Sequence, residues 1–273
     1  MSSREIFVFS GGGSRGAAQI GMMRALLGAG IVPDVVVGAS VGALNACSLA
    51  NDPTLESVER LADRWMAMEA RHLTGPRITV LGNLARRRPY LYSSARLRRL
   101  VAEWTPVTRI EDLAVSTYVA TTNLHTGLAH HHDSGRLADV LAASTALPAV
   151  FPPVLLDTGD GLVPHVDAGL SENLPLSGAA KIARAGDRVW VLDVTKPPTA
   201  RVLRSPLDVL VGALAISIHH RSAVTFESGV SVIACLLTRD FHCGSVLDFS
   251  HSGELMMLGE STVIRALQLA DVV

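Results

Sequence analysis

The chain has 273 residues, 48% hydrophobic and 18% charged, with a formal charge of −1. These values exclude general disorder and a strongly basic nucleic-acid-binding surface, and the length is enough for one large α/β domain with a covered core. Three irregularly spaced cysteines, Cys47, Cys235 and Cys243, make neither a disulfide framework nor a zinc site.

Met1–Glu5 is short and polar, and Ile6–Phe9 is too brief for a signal core, so no secretory leader is read. The longest apolar run, Val209–Ile218, falls well short of the ~20 residues of a membrane span. A reducing, cytoplasmic setting is expected, with any membrane contact peripheral.

The chain then unfolds as alternating strand and helix patterns. An apolar run at 6–10 predicts a strand that ends in Gly11, Gly12 and Gly13, and a helix follows over 15–29. A second strand at 35–38 ends in Gly38-Ala39-Ser40-Val41-Gly42 and leads into a helix over 41–50. Cys47 falls among small apolar residues of that helix, where a buried, inert thiol is expected. Leu55, Val58, Leu61, Trp65 and Met68 recur at helical spacing and predict a helix over 55–70 with Thr54 as its N-cap.

Residues 72–93 are the least regular, holding Gly75-Pro76, Gly82-Asn83 and Arg86-Arg87-Arg88-Pro89. A basic helix over 94–104 follows, with Leu97, Leu100, Val101 and Trp104 on one face. The plain reading of 72–104 is a solvated insertion; the sharper one is a cover over the site whose arginines meet anionic lipid headgroups. Further strands are predicted at 115–123, 128–132, 165–167, 188–194 and 230–237, and helices at 136–144, 177–185, 207–221 and 254–270. Lys196-Pro197-Pro198 opens the connection to a C-terminal extension, 196–273. The alternation predicts a mainly parallel sheet covered on both faces.

Two turns carry chemistry. Gly-x-Ser-x-Gly at 38–42 puts Ser40 on a sharp strand-to-helix turn, with Gly38 and Gly42 relieving crowding and the helix N-terminus favouring negative charge. An ordinary βα turn with an N-cap serine is the competing reading. Gly11–Gly16 offers amides unobstructed by side chains, and an acyl-transfer site needs such donors beside its nucleophile. Arg15 either adds positive charge or anchors the loop.

The loop also matches Gly-x-Gly-x-x-Gly, so a dinucleotide-binding domain is a rival. Against it, Asp34 sits at the start of the second strand rather than its end. The best acidic partner for Ser40 is Asp167, in Val166-Asp167-Ala168-Gly169. By itself Asp167 reads as an Asx-turn residue, and it becomes a useful base only if burial raises its pKa from the ordinary ~3.9. His165, two residues away on the same strand face, is the rival for a Ser-His-Asp triad. His130 and His132 alternate on a strand as a metal pair would, but no third ligand is evident. His219-His220 at the end of an apolar helix suits the C-terminal dipole.

Taken together, the glycine loop, the Ser40 elbow, Ser-Thr-Ala-Leu-Pro-Ala-Val-Phe-Pro-Pro at 144–153 and Val-Asp-Ala-Gly-Leu-Ser-Glu-Asn-Leu-Pro at 166–175 resemble the patatin-like phospholipases across residues 5–195. The resemblance implies a three-layer α/β/α patatin-like fold with a mainly parallel central sheet, as one domain over 1–273. It implies a lipid acyl hydrolase with Ser40 as nucleophile, Asp167 as base and no catalytic histidine. Gly11, Gly12, Gly13, Arg15 and Gly16 would form the oxyanion hole, and no metal or organic cofactor is called for. The partner implied is a lipid or acyl ester. Acyl transfer to another acceptor and non-catalytic lipid binding remain as alternatives. Two departures stand out: Ala168 where the family has Gly, which would be strained if its φ were positive, and, as a milder case, Ala149.

Overall fold

The structure, a computed structural model, describes residues 3–74, 80, 83, 85–88, 90–159, 161–195, 216, 223–237 and 247–270. In chain order the principal elements are β1 (Glu5–Phe9), a 3-10 turn (Gly13–Gly16), α1 (Ala17–Gly28), β2 (Val35–Ala39), α2 (Val41–Asn51), α3 (Leu55–Met66), α4 (Ala70–Leu73) and α5 (Ala95–Trp104). These are followed by β3 (Ser116–Asn123), β4 (Ala129–His132), α6 (Leu137–Ser144), β5 (Val154–Asp157), β6 (Leu162–Val166), α7 (Gly169–Glu172), α8 (Leu176–Ile182), β7 (Arg188–Asp193), β8 (Ser231–Leu236) and α9 (Ser252–Leu269).

β1 and β2 are buried at every position, which explains their continuous apolar runs: a central strand packs on both faces. They pair in parallel from Ile6 with Val35 to Phe9 with Gly38. β7 flanks β1 in parallel and β8 flanks β7, while β3 lies parallel to β2. β4, β5 and β6 make the antiparallel part. One face of the sheet carries Phe7, Phe9, Val36, Val119 and Trp190 and is covered by α1, α2, α3, α6 and α9. The other carries Ile6, Val8, Val37 and Val191 and is covered by α8.

The register at β3 decides where the site forms. Ala120 pairs with Ala39 of β2 and with His131 of β4, so those strands lie on opposite edges of β3. Thr122 pairs with Ala129 of β4 and with Val166 of β6, which puts β6 on the edge already used by β2. Thus β2 and β6 run toward one another along a single edge, and the end of one faces the end of the other.

Local expectations meet mixed fates. The Thr54 side chain accepts from the Ser57 amide at 3.2 Å, and Val58, Leu61 and Trp65 are buried, but Leu55 is exposed and α3 stops at Met66. α5 buries Leu97, Leu100, Val101 and Trp104 as its periodicity predicts. β5 lies outside the predicted strands, because four residues after Pro152-Pro153 carry little pattern; it is an edge strand paired with β6 from Val154 with His165 to Asp157 with Leu162. β6 accordingly begins earlier than the predicted 165–167. The insertion touches the body of the fold where the Leu91 and Tyr92 amides donate to the Ala149 and Val150 carbonyls, both at 2.9 Å.

At the C-terminal end, α9 crosses α1 at backbone contact. A Cβ on Gly21 would sit 1.8 Å from the Met256 carbonyl oxygen, and one on Gly259 would sit 1.9 Å from that of Ala18. Apart from Ile216, the predicted helix 207–221 lies outside the described residues, as do Lys196–Pro198, His219-His220, Cys243 and much of 75–89.

Candidate active site

The turn after β2 is built by two absent side chains. A Cβ at Gly38 would lie 2.5 Å from Ala43 Cα, and one at Gly42 would lie 2.4 Å from the Ser10 carbonyl oxygen. With glycine at both places, α2 starts directly against the ends of β1 and β2. Ser40 between them has φ 54° and ψ −129°, a left-handed conformation that costs a β-carbon residue ~1–3 kcal/mol. The strain turns the hydroxyl out of the strand at the N-terminus of α2, whose dipole favours developing negative charge.

Asp167 follows the last residue of β6 and therefore arrives at the end of β2. Ser40 Oγ donates to Asp167 Oδ2 at 2.8 Å, across 127 positions of sequence. The Gly169 amide donates to Oδ1 at 2.7 Å, so each carboxylate oxygen has a donor. Asp167 is only 2% exposed, and burial raises its pKa from 3.8 to about 6 in spite of the opposing bonds from Gly169 and Ser40. A carboxylate held near the working pH and bonded to a hydroxyl has the geometry and the basicity of a general base.

Ala168 does not need positive φ: it has φ −59° and ψ −27°. Its methyl packs with Ala39 and Ala120 in a small, fully buried cluster. The expected strain sits instead at Ala149, with φ 65°. The order of severity of the two departures is therefore the reverse of the sequence expectation.

The glycine loop lies beside Ser40, since a Cβ at Gly11 would be 3.1 Å from Ser40 Cβ. Its amides are not equivalent. The Gly11 amide donates to the Asn173 carbonyl at 2.9 Å, and the Arg15 amide to the Gly12 carbonyl at 3.3 Å. Both are engaged inside the protein, which leaves Gly12, Gly13 and Gly16 of the five expected positions. Gly13 has φ 60°, and a Cβ at Gly12 would meet Val194 Cγ2 at 2.7 Å, so each position requires glycine. Gly16 is a packing position, its absent Cβ lying 2.9 Å from Val41 and 3.0 Å from Trp65. Arg15 is buried, at 9% exposure.

His165 is fully buried and its Nδ1 lies 2.8 Å from Thr121 Oγ1, which also contacts His132 Nε2 at 2.8 Å. His130, His132 and His165 pack ring against ring. Burial lowers the pKa of His165 to about 4 and that of His132 to about 3, so these rings are neutral. The hydrogen-bond partner of the Ser40 hydroxyl is a carboxylate, not an imidazole. Cys47 is fully buried, and burial pushes its thiol pKa up.

Several residues at the site were not singled out from sequence. Asn173 locks the glycine loop: besides its carbonyl bond to Gly11, its Nδ2 donates to the Gly11 carbonyl at 3.3 Å and to Thr195 Oγ1 at 2.9 Å. Ser144 at the end of α6 accepts from the Ser40 amide at 2.9 Å and donates to the Ala120 carbonyl at 2.7 Å. Behind the loop, Trp65 Nε1 donates to Asn45 Oδ1, Asn45 Nδ2 to Gln19 Oε1, and Gln19 Nε2 to the Ser10 carbonyl, at 2.8–3.0 Å. The available signal was a buried-looking polar residue inside an apolar helix, as with Gln19 and Asn45.

Comparison with known proteins gives a family and a fold. A sequence profile described as patatin-like phospholipase matches residues 7–180. Neuropathy target esterase sws of Drosophila sechellia is 31% identical over 168 residues, which is 62% of this chain and 11% of that protein. Patatin-like phospholipase domain-containing protein 7 of Rattus norvegicus is 30% identical over 178 residues, 65% of this chain and 12% of that one. The chain thus matches only about a tenth of the length of these relatives. Among solved structures, human GIVD cytosolic phospholipase A2 in complex with methyl gamma-linolenyl fluorophosphonate superposes with a TM-score of 0.56 at 13% identity, over 99% of this chain and 58% of that one. VipD from Legionella pneumophila gives 0.50 at 14% identity, over 98% and 67%. At these identities the structural likeness is one of fold.

Proposed function

Because the chain belongs to the patatin-like phospholipase family, we propose that it is a serine acyl hydrolase that releases fatty acyl groups from phospholipids, lysophospholipids or simpler acyl esters. Ser40 Oγ attacks the ester carbonyl while Asp167 takes its proton. The Gly12 and Gly13 amides hold the tetrahedral oxyanion, each such donor contributing ~3 kcal/mol in the transition state. Asp167 returns the proton to the leaving alcohol, then takes one from water, which attacks the acyl-Ser40 ester; Asp167 passes that proton to Ser40 Oγ as the acid is freed. The observation that carries this is the 2.8 Å bond from Ser40 to a buried carboxyl whose pKa is raised to about 6. No metal enters the steps.

The test is a panel of acyl esters assayed on wild type, Ser40→Ala and Asp167→Asn, together with labelling by a fluorophosphonate probe. Both variants lose turnover and Ser40→Ala loses the label. Full labelling of Ser40→Ala, or turnover surviving its loss, overturns the assignment. Product analysis with added alcohols separates hydrolysis from acyl transfer.

Transient contact with an anionic membrane surface belongs to the same proposal. Its support is the run Arg86–Arg88, which is exposed on an insertion bonded to the Ala149–Val150 backbone. Replacing the three arginines with Gln lowers binding to anionic vesicles; unchanged binding removes this part of the reading.

A further inference from the structure

Ser144 is fully buried and stands where the two halves of the site meet. Its hydroxyl is placed between two backbone groups of neighbouring strands. It accepts from the amide of Ser40, just past β2, and donates to the carbonyl of Ala120 in β3. Its own carbonyl accepts from the Ala168 amide at 3.3 Å, and the Ala146 carbonyl two residues on accepts from the Asp167 amide at 3.0 Å. One residue therefore grips the nucleophile through its side chain and the segment bearing the base through its main chain.

The need for such a grip follows from the backbone. Ser40 is held at φ 54°, where an L-residue is stable only if its surroundings hold it there. Its amide is at the N-terminus of α2, outside the helical hydrogen-bond ladder, and Ser144 Oγ is the acceptor that fixes it. The direction of the bonds also matters. Because the Ser144 proton is committed to Ala120, the oxygen can only accept from Ser40, so the elbow has one orientation at this point.

We propose that Ser144 is a positioning residue for the reaction: its hydroxyl holds the strained Ser40 backbone in the conformation that aims Oγ at Asp167. This rests on the assignment of Ser40 and Asp167 given above. Ser144 does not touch the substrate or the reacting atoms, so its removal acts on the chemical step and not on substrate binding.

The experiment compares wild type, Ser40→Ala, Ser144→Ala and Ser48→Ala. Ser48 is the control for a lost buried hydroxyl, since it lies in α2 and, among the described residues, its hydroxyl bonds within that helix, to the Leu44 carbonyl. Ser144→Ala lowers kcat about 10–100-fold with KM within about twofold, the size of effect expected from a small misplacement of a reacting group. Ser48→Ala leaves both constants unchanged. The acidic limb of the kcat/KM profile also moves to higher pH in Ser144→Ala, because the Ser40 hydroxyl is one of two donors that hold the Asp167 pKa down. A purely structural role would lower the melting temperature without moving that limb. If Ser144→Ala does not fold, Ser144→Cys, which puts a weak sulfur acceptor at the same place, is read in the same two ways. A folded Ser144 variant with wild-type kcat and an unmoved limb overturns the inference while leaving the Ser40–Asp167 assignment intact. Wild-type turnover by Ser40→Ala overturns that assignment itself, and this inference with it.

Discussion

Asp167→Asn is expected to stabilise the protein at neutral pH while abolishing its activity. In the fold, burial lifts the Asp167 pKa to about 6 against 3.8 in an open chain. The native state therefore holds this proton more tightly than the unfolded state, so stability falls as pH rises from about 4 to about 6. Above that range the ionised carboxylate weakens the fold by about two pKa units at 1.36 kcal/mol each, roughly 3 kcal/mol. Asn is neutral throughout and fits the same bonds: its Oδ1 accepts from the Gly169 amide and its Nδ2 donates to Ser40 Oγ, in place of contacts of 2.7 and 2.8 Å. Urea denaturation at pH 7.5 should show Asp167→Asn more stable than wild type by about 3 kcal/mol, or some 6–12 °C in melting temperature at this chain length. At pH 4 the gain should vanish. Equal or lower stability of the variant at pH 7.5 would mean that the carboxyl is not a buried, raised-pKa group, and the basis for its role as base would go with it.

Other outcomes follow from the same geometry. The kcat/KM of ester hydrolysis should rise with pH through a single ionisation near pH 6, where Asp167 loses its proton, and a profile flat from pH 5 to 8 would contradict that. Ala149→Gly should raise stability by roughly 0.5–1 kcal/mol, left-handed strain relieved less the added freedom of the unfolded chain. Ala168→Gly should lower it by about 1–2 kcal/mol, because it empties a buried methyl site at an ordinary φ; thermal melts of the two variants are expected to shift in opposite directions. Gly21→Ala should destabilise by about 3 kcal/mol, since its methyl would run into the Met256 backbone where α1 and α9 cross, and a melting temperature close to wild type would refute that crossing.

Much of the frame was legible in the residues. β1 and β2 show as unbroken apolar runs because both of their faces are buried, and α3 and α5 show by spacing because each buries one face. The glycines of the elbow show because no other residue fits where backbone meets backbone, as at Gly38 and Gly42, and Gly12 shows because a Cβ there would run into the Val194 side chain. β5 stayed hidden: a four-residue edge strand beside two prolines presents too few positions for a pattern.

What the residues determined by themselves is the set of local devices: strands buried on both faces, turns that only glycine allows, and a serine at one of those turns. Only the tertiary structure decided which of these devices act together. The bond between Ser40 and Asp167 spans 127 positions, and Asn173 engages the Gly11 amide from 162 positions away. It also decided that Ala149, not Ala168, takes the left-handed backbone. Local pattern reports what one segment requires of its own backbone and burial. Which amide remains free, how far a carboxyl pKa rises and which methyl finds room are set by atoms that the chain brings up from elsewhere.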